Sequence, residues 1–267
     1  MSGDDPNASF LADLQVKVHA LGPSRLGSYG YVPIMRSWLQ EHATHHDAVV
    51  VHGLWQYPSV VVRKVLRGTS TPYYLYPHGM LDPWFKRAYP WKHLKKAFFW
   101  KLYQSKVLRD ARSVCFTTDE ERRLAQNTFS PYHCRETVVG LGSVDPPDDL
   151  DVHQETFYRK FPQARDRRNL LFLARIHPKK GADMLLQAFG EIAAASDLLI
   201  LAGPCEDQAH AQQLRESVAG FEDRVLWTGM LEGDIKWGAL RAAEALVLPS
   251  HQENFGIVVA EALAVGT

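Results

Sequence analysis

The run Leu170-Leu171-Phe172-Leu173-Ala174-Arg175-Ile176-His177-Pro178-Lys179-Lys180-Gly181 changes character at one residue. Up to Ala174 it is short and wholly apolar, as a strand buried on both faces is. From Arg175 it becomes a basic turn, in which Pro178 fixes the backbone and Gly181 permits an unusual angle or a close approach. Helical periodicity then takes over near Gly181 to Ala193. Strand, turn and helix in this order make one unit of a parallel sheet covered by helices.

The same alternation extends in both directions. Downstream, Leu198 to Ala202, Val225 to Trp227 and Ala245 to Leu248 read as strands. Helices are expected near Asp207 to Val218, Asp234 to Ala242 and Asn254 to Ala264. Upstream, Val16 to Ala20, Ala48 to His52, Tyr73 to Tyr76 and Ser113 to Phe116 read as strands. Helical stretches lie near Val32 to Glu41, Pro58 to Arg67 and Trp91 to Arg109. Asp145-Pro146-Pro147-Asp148-Asp149-Leu150-Asp151, followed by a polar stretch to Arg168, reads as a linker between the two series. The expected architecture is α/β: two Rossmann-like domains facing a cleft, 1–148 and 149–267. No repeat of solenoid length and no low-complexity tract interrupts it.

Composition agrees with an ordinary globular protein, 46% hydrophobic and 22% charged. Thirty basic residues balance thirty acidic ones, so no global field favours nucleic acid. No apolar run is long enough to span a bilayer. Met1-Ser2-Gly3-Asp4-Asp5-Pro6-Asn7 has neither a basic nor an apolar leader region. Cys115, Cys134 and Cys205 are odd in number and scattered, which reads as small hydrophobes in a reducing compartment. A cytoplasmic location is expected.

In open parallel sheets ligands sit beyond the carboxyl ends of the strands. Arg175 and Lys180 would there deliver two cations able to neutralise a diphosphate without a metal ion. The plainer alternative is a basic turn with solvated lysines. After the strand at Ala245 to Leu248 comes Pro249-Ser250-His251-Gln252-Glu253-Asn254-Phe255-Gly256-Ile257-Val258-Val259-Ala260-Glu261. With a helix beginning near Asn254, its first amides would form an anion site and Gly256 would leave room for a ligand. Glu253 and Glu261 would lie about 12 Å apart if helical throughout. That exceeds the roughly 5–9.5 Å of paired acids at one glycosidic bond, so they suit two parts of one long ligand. The alternative is one acid near a helix start and another on a solvated face.

Glu253 to Glu261 resembles the E-x7-E signature of the retaining GT-B glycosyltransferases of family 4. Arg175 to Gly181 resembles that family's donor-phosphate turn, and Ala202-Gly203-Pro204 its glycine facing the nucleotide. The resemblance implies a GT-B fold and a nucleotide-diphosphate sugar as donor substrate, with no separate cofactor and no metal. It also implies roles. Arg175 and Lys180 would hold the diphosphate; Glu253, with the backbone of Asn254, Phe255 and Gly256, the sugar; Glu261 the ribose. The backbone of Thr228 to Leu231, after a further strand, would touch the base. His78, in Pro77-His78-Gly79 after the strand at Tyr73 to Tyr76, matches a histidine near the anomeric carbon. His52, also after a strand, stays undecided between acceptor pocket and structural role.

The implied reaction is retaining transfer of a hexose to a hydroxyl acceptor, a glycan or a lipid-linked one, in polysaccharide or glycolipid synthesis. The alternative is a fragment that binds nucleotide sugar without transferring it. Relative to the family, the chain looks truncated at both ends, lacking a first strand with its glycine-rich loop and the closing elements of the second domain. From Lys86 to Arg112 there are nine Lys or Arg and one acid, interleaved with aromatics. Such a helix could lie on the inner face of a membrane as a peripheral contact. The preferred reading has Phe98, Leu102 and Val107 packing on the sheet while the lysines are solvated. Asp149-Leu150-Asp151, a short D-x-D, sits in a linker and is rejected as a metal site.

Overall fold

The computed structural model describes residues 16–267. The opening Met1 to Asn7, read above for its lack of a leader, lies outside the described residues. The chain divides into two compact units, the first ending at Gly140 and the second running over Leu141–Thr267.

In the first unit β1 (Val49–His52), β2 (Tyr73–Tyr76), β3 (Ser113–Phe116) and β4 (Glu136–Val138) form a parallel sheet in that order. Helices α1 (Met35–His42), α2 (Tyr57–Leu66), α3 (Trp84–Ala88), α4 (Pro90–Phe99), α5 (Ser105–Asp110) and α6 (Asp119–Ala125) accompany it. Leu75, Val114 and Phe116 are completely buried, as apolar runs in a doubly covered sheet must be. β4 escaped sequence reading because Glu136 to Val138 is an edge strand with mostly exposed side chains.

The strand expected at Val16 to Ala20 does not form. A strand exists through its ladder to a neighbour, and no described strand pairs with this segment; Val16 is 68% exposed. His19 instead packs its ring against Trp38 at 4.9 Å. The packing expected for Phe98 and Leu102 is also corrected. The helix from Pro90 continues through a π turn at Trp100–Gln104 into α5. That phase sends Trp100, Gln104, Val107 and Leu108 inward and leaves Phe98 and Leu102 68% and 42% exposed.

The second unit holds α7 (Leu150–Lys160), β5 (Arg168–Leu173), α8 (Ala182–Ile192), β6 (Asp197–Ala202), α9 (Gln208–Glu216), β7 (Val225–Gly229), α10 (Gly233–Ala242), β8 (Ala245–Leu246) and α11 (Ile257–Ala264). Its parallel sheet runs β7-β6-β5-β8. β6 is buried at every residue, and successive side chains enter opposite cores: Leu198 and Ile200 on one face, Leu199 and Leu201 on the other. The stretch expected as linker up to Arg168 contains α7, which packs against α10. Phe157 is fully buried, and a Cβ on Gly238 would stand 2.0 Å from the His153 carbonyl oxygen. Polar composition hid this helix because only a narrow stripe of it is covered. Asp149 precedes α7, and Asp151 lies 3.4 Å from Arg241.

Candidate functional site

Strand order reverses between β5 and β8: from β5 the chain moves through β6 to β7, and β8 returns on the other side of β5. Ligands of open parallel sheets sit beyond the carboxyl ends of the strands at such a switch point. The loop after β5 carries Arg175 to Gly181, and the loop after β8 carries Pro249 to Gly256.

These two loops are held together by backbone. His251 N–H donates to the Lys179 carbonyl at 2.9 Å. Gly181 has φ 70°, and a Cβ there would stand 2.2 Å from the Pro249 carbonyl oxygen. Only glycine permits both the left-handed turn and this approach. The contact brings the Lys180 Nζ to 2.5 Å from the Glu253 carboxylate, across 73 residues of sequence. Ser250 Oγ donates to the same carboxylate at 3.3 Å, and Asn254 N–H donates to its other oxygen at 3.2 Å. Burial pushes the Glu253 carboxyl up, but the Lys180 hydrogen bond and charge outweigh it and hold it below the usual glutamate range.

Arg175 is exposed at the entrance to the same turn. Its charge reaches His177: burial, then Arg175 and Lys179, pull that imidazole's protonation below the ordinary histidine range. His177 Nδ1 accepts from Lys179 N–H at 3.1 Å, so the ring fastens the basic turn. Gly203 has φ 149°, and a Cβ on it would stand 1.9 Å from the Ala174 carbonyl oxygen. The glycine is therefore required by close packing of the two strand ends, whatever else it faces.

α11 starts at Ile257, not near Asn254. Asn254 and Phe255 belong to the loop, and Gly256 turns at φ 71° to cap the helix. The free amides of the helix thus begin later than the spacing suggested, and Glu253 and Glu261 are not on one continuous helix. Glu261 is only 7% exposed and takes a hydrogen bond from Lys236 of α10 at 2.8 Å. Lys236 also lies 4.4 Å from the Trp237 ring centroid. Sequence reading missed Lys236, since nothing in its local spacing ties it to a residue on another helix. Gln252, 7% exposed with its Oε1 unpartnered, is a further polar group in the Pro249–Gly256 loop. Thr228 and Gly229, expected to follow β7, lie within it.

In the first unit His78 follows β2, and its Nε2 lies 2.8 Å from His52 Nδ1, at the end of β1. Register explains the meeting: His52 is opposite Tyr76, and the tyrosine ring stacks on both imidazoles at 5.2 and 5.8 Å. His78 adopts φ 50°, unusual for a residue with a Cβ. The turn is anchored by the buried Glu121, which accepts from Gly79 N–H and Thr117 N–H, both at 2.7 Å. Burial, and secondarily His78, lower the protonation of His52. Among the described residues, no group of three or more His, Cys, Asp or Glu could hold a metal ion. No described helix is long and apolar enough to cross a membrane.

Comparison with known proteins places these features in a wider set. Residues 2–142 match the family described as glycosyl transferase 4-like domain, and residues 167–267 that described as glycosyl transferases group 1. A D-inositol 3-phosphate glycosyltransferase from Xylanimonas cellulosilytica is 34% identical over 172 residues, covering 61% of this chain and 41% of the relative. An uncharacterized glycosyltransferase from Methanocaldococcus jannaschii is 30% identical over 168 residues, covering 61% and 39%. The chain thus spans about two fifths of the length of the curated relatives it matches. Anabaena HepE, solved with UDP and glucose, superimposes with a TM-score of 0.71 at 17% identity, over 94% of this chain and 66% of that one. WaaG, a glycosyltransferase involved in lipopolysaccharide biosynthesis, gives 0.63 at 16%, over 91% and 65%.

Proposed function

This chain belongs to the glycosyl transferase 4-like family, and from that premise we propose that its second unit holds a nucleotide-diphosphate sugar for transfer of a hexose, with retention, to a hydroxyl acceptor. The observation that carries the reading is the meeting of Lys180 and Glu253 beyond β5 and β8. An ammonium has three donors, so Lys180 can keep Glu253 in place with one and offer the others to a departing diphosphate. Arg175, exposed at the start of the same turn, supplies a second positive charge. Cations already in place stabilise leaving-group charge without reorganising during the reaction. Glu253, ionised because Lys180 keeps it so, is then an acceptor for sugar hydroxyls. Glu261, steadied by Lys236, faces the same task for the ribose diol.

Retention accords with the absence of any need for an enzymic nucleophile: the acceptor hydroxyl enters on the face the diphosphate leaves. His78, steadied by His52 and Tyr76, is assigned to the sugar near its anomeric carbon. The acceptor belongs to the hydroxyl-bearing glycans or lipid-linked glycans, and the setting to polysaccharide or glycolipid synthesis. Because HepE, similar in fold, was solved with UDP and glucose, UDP-glucose is the first donor to try. Calorimetry with UDP-, GDP- and ADP-sugars, paired with a turnover assay, tests the reading. Binding of one donor that is abolished in Glu253→Ala supports it; equal binding by the variant overturns it.

A further inference from the structure

The helical run from Pro90 to Asp110 presents its apolar residues on two sides. Trp100, Gln104, Val107 and Leu108 face the core, each 1% exposed or less. Outward stand Trp91, Leu94, Phe98 and Leu102, exposed by 80%, 63%, 68% and 42%. Their spacing places them in one row along a helix face. Tyr89 and Tyr103, at 36% and 42%, extend the aromatic surface.

Basic residues surround the row. Lys92, Lys95, Lys101, Lys106 and Arg109 are all exposed. Lys96 alone turns inward, its ammonium 4.8 Å from the Trp55 ring centroid. The one acid of the region, Asp110, is already engaged by Arg63 at 2.6 Å and by Arg109 at 2.8 Å. The helical run therefore combines a row of exposed apolar residues with a positive border, and its own single acid is already paired.

We propose that the Trp91–Leu94–Phe98–Leu102 ridge is a membrane-docking surface that lies in the interface of an anionic bilayer. The chemistry selects this occupant. Lysine stems run along apolar surface while their ammonium groups reach out to anionic headgroups. Between them Trp91, Leu94 and Phe98 enter the acyl boundary, and tryptophan and tyrosine favour that depth. A second copy of the chain is a poor fit, since pairing two such ridges would set lysines against lysines. The inference stands on exposure and charge and does not depend on the transferase reading.

Cosedimentation with lipid vesicles tests it, using phosphatidylcholine alone and phosphatidylcholine with about one third phosphatidylglycerol. Binding to the anionic vesicles at low salt is expected, falling several-fold near 0.5 M salt as surface charges are screened. Trp91→Ala with Phe98→Ala should lower it about tenfold, and Lys92→Glu with Lys95→Glu and Lys101→Glu should remove the anionic preference. These side chains are exposed, so circular dichroism should show both variants folded. Absence of binding at low salt, or equal binding to neutral vesicles, overturns the proposal. So does a wild-type dimer, seen by sedimentation velocity without lipid, that the Trp91/Phe98 variant dissociates.

Discussion

Lys180 and Glu253 are joined at 2.5 Å because Gly181 lets the turn after β5 press against Pro249 in the loop after β8. The pair is partly solvated, with side-chain exposures of 16% and 33%. Its contribution to stability is therefore modest, about 1 kcal/mol or less. Its functional weight is expected to be larger: Glu253→Ala and Lys180→Ala should each lower turnover of a nucleotide sugar at least about a hundredfold, within the range seen on loss of a preorganised electrostatic group. Steady-state kinetics alongside thermal unfolding checks both halves of that expectation.

The same contact sets a pH dependence. Burial raises the Glu253 carboxyl while Lys180 lowers it, and the lowering prevails. A carboxyl depressed in the folded state contributes stability that is present above its unfolded value and lost as pH falls through the folded one. Donor affinity should thus hold as pH drops to about 4.3, the ordinary glutamate value, and fail only below it. In Lys180→Met the burial effect is left without its counterweight, so the loss should begin at higher pH. Calorimetric titration across pH 3 to 7 in both proteins distinguishes the two curves.

Gly203→Ala should destabilise the second unit. Its Cβ would lie 1.9 Å from a backbone oxygen, which cannot rotate away as a side-chain atom can. Overpacking of this kind costs about 1–3 kcal/mol, with the unfavourable φ adding to it. Urea denaturation, followed by a probe in the second unit, should show an earlier midpoint.

Lys236→Met should leave the buried Glu261 carboxylate without its cation. Breaking a buried pair from one side costs about 3–5 kcal/mol, and the 23% exposure of the Lys236 side chain argues for less, roughly 1–3 kcal/mol. Glu261→Gln removes the charge together with the need for the partner. It should unfold later than Lys236→Met in the same thermal scan while binding nucleotide more weakly.

His78→Gln should raise the protonation midpoint of His52, since the nearby imidazole is one of the two causes that lower it. Burial, the larger cause, remains, so the midpoint should stay under the ordinary value of about 6.5. Imidazole resonances followed by NMR through pH 5 to 8 report this directly.

Alternation of short apolar runs with helical periods was enough to specify two parallel sheets, and among the described residues seven of the eight strands lie where apolar sequence placed them. Burial on both faces forces such runs to be apolar, so the pattern survives in one dimension. The same logic failed at Val16 to Ala20, where apolar residues have no neighbouring strand, and at Leu150 to Lys160, where a mostly solvated helix looks like a linker. It failed again at Phe98 and Leu102, because a π turn shifts the helix phase that periodicity assumes.

The sequence by itself determined the α/β class, the two-part organisation and the chemical identity of the groups at the strand ends, since these follow from local composition and order. Tertiary structure alone decided which of those groups meet: Lys180 with Glu253, Glu261 with Lys236, His52 with His78. Each pairing joins separate strands or helices: the first depends on sheet order and a glycine's close approach, the second on two helices meeting, the third on strand register. These are properties of distance in space, which spacing along the chain does not carry.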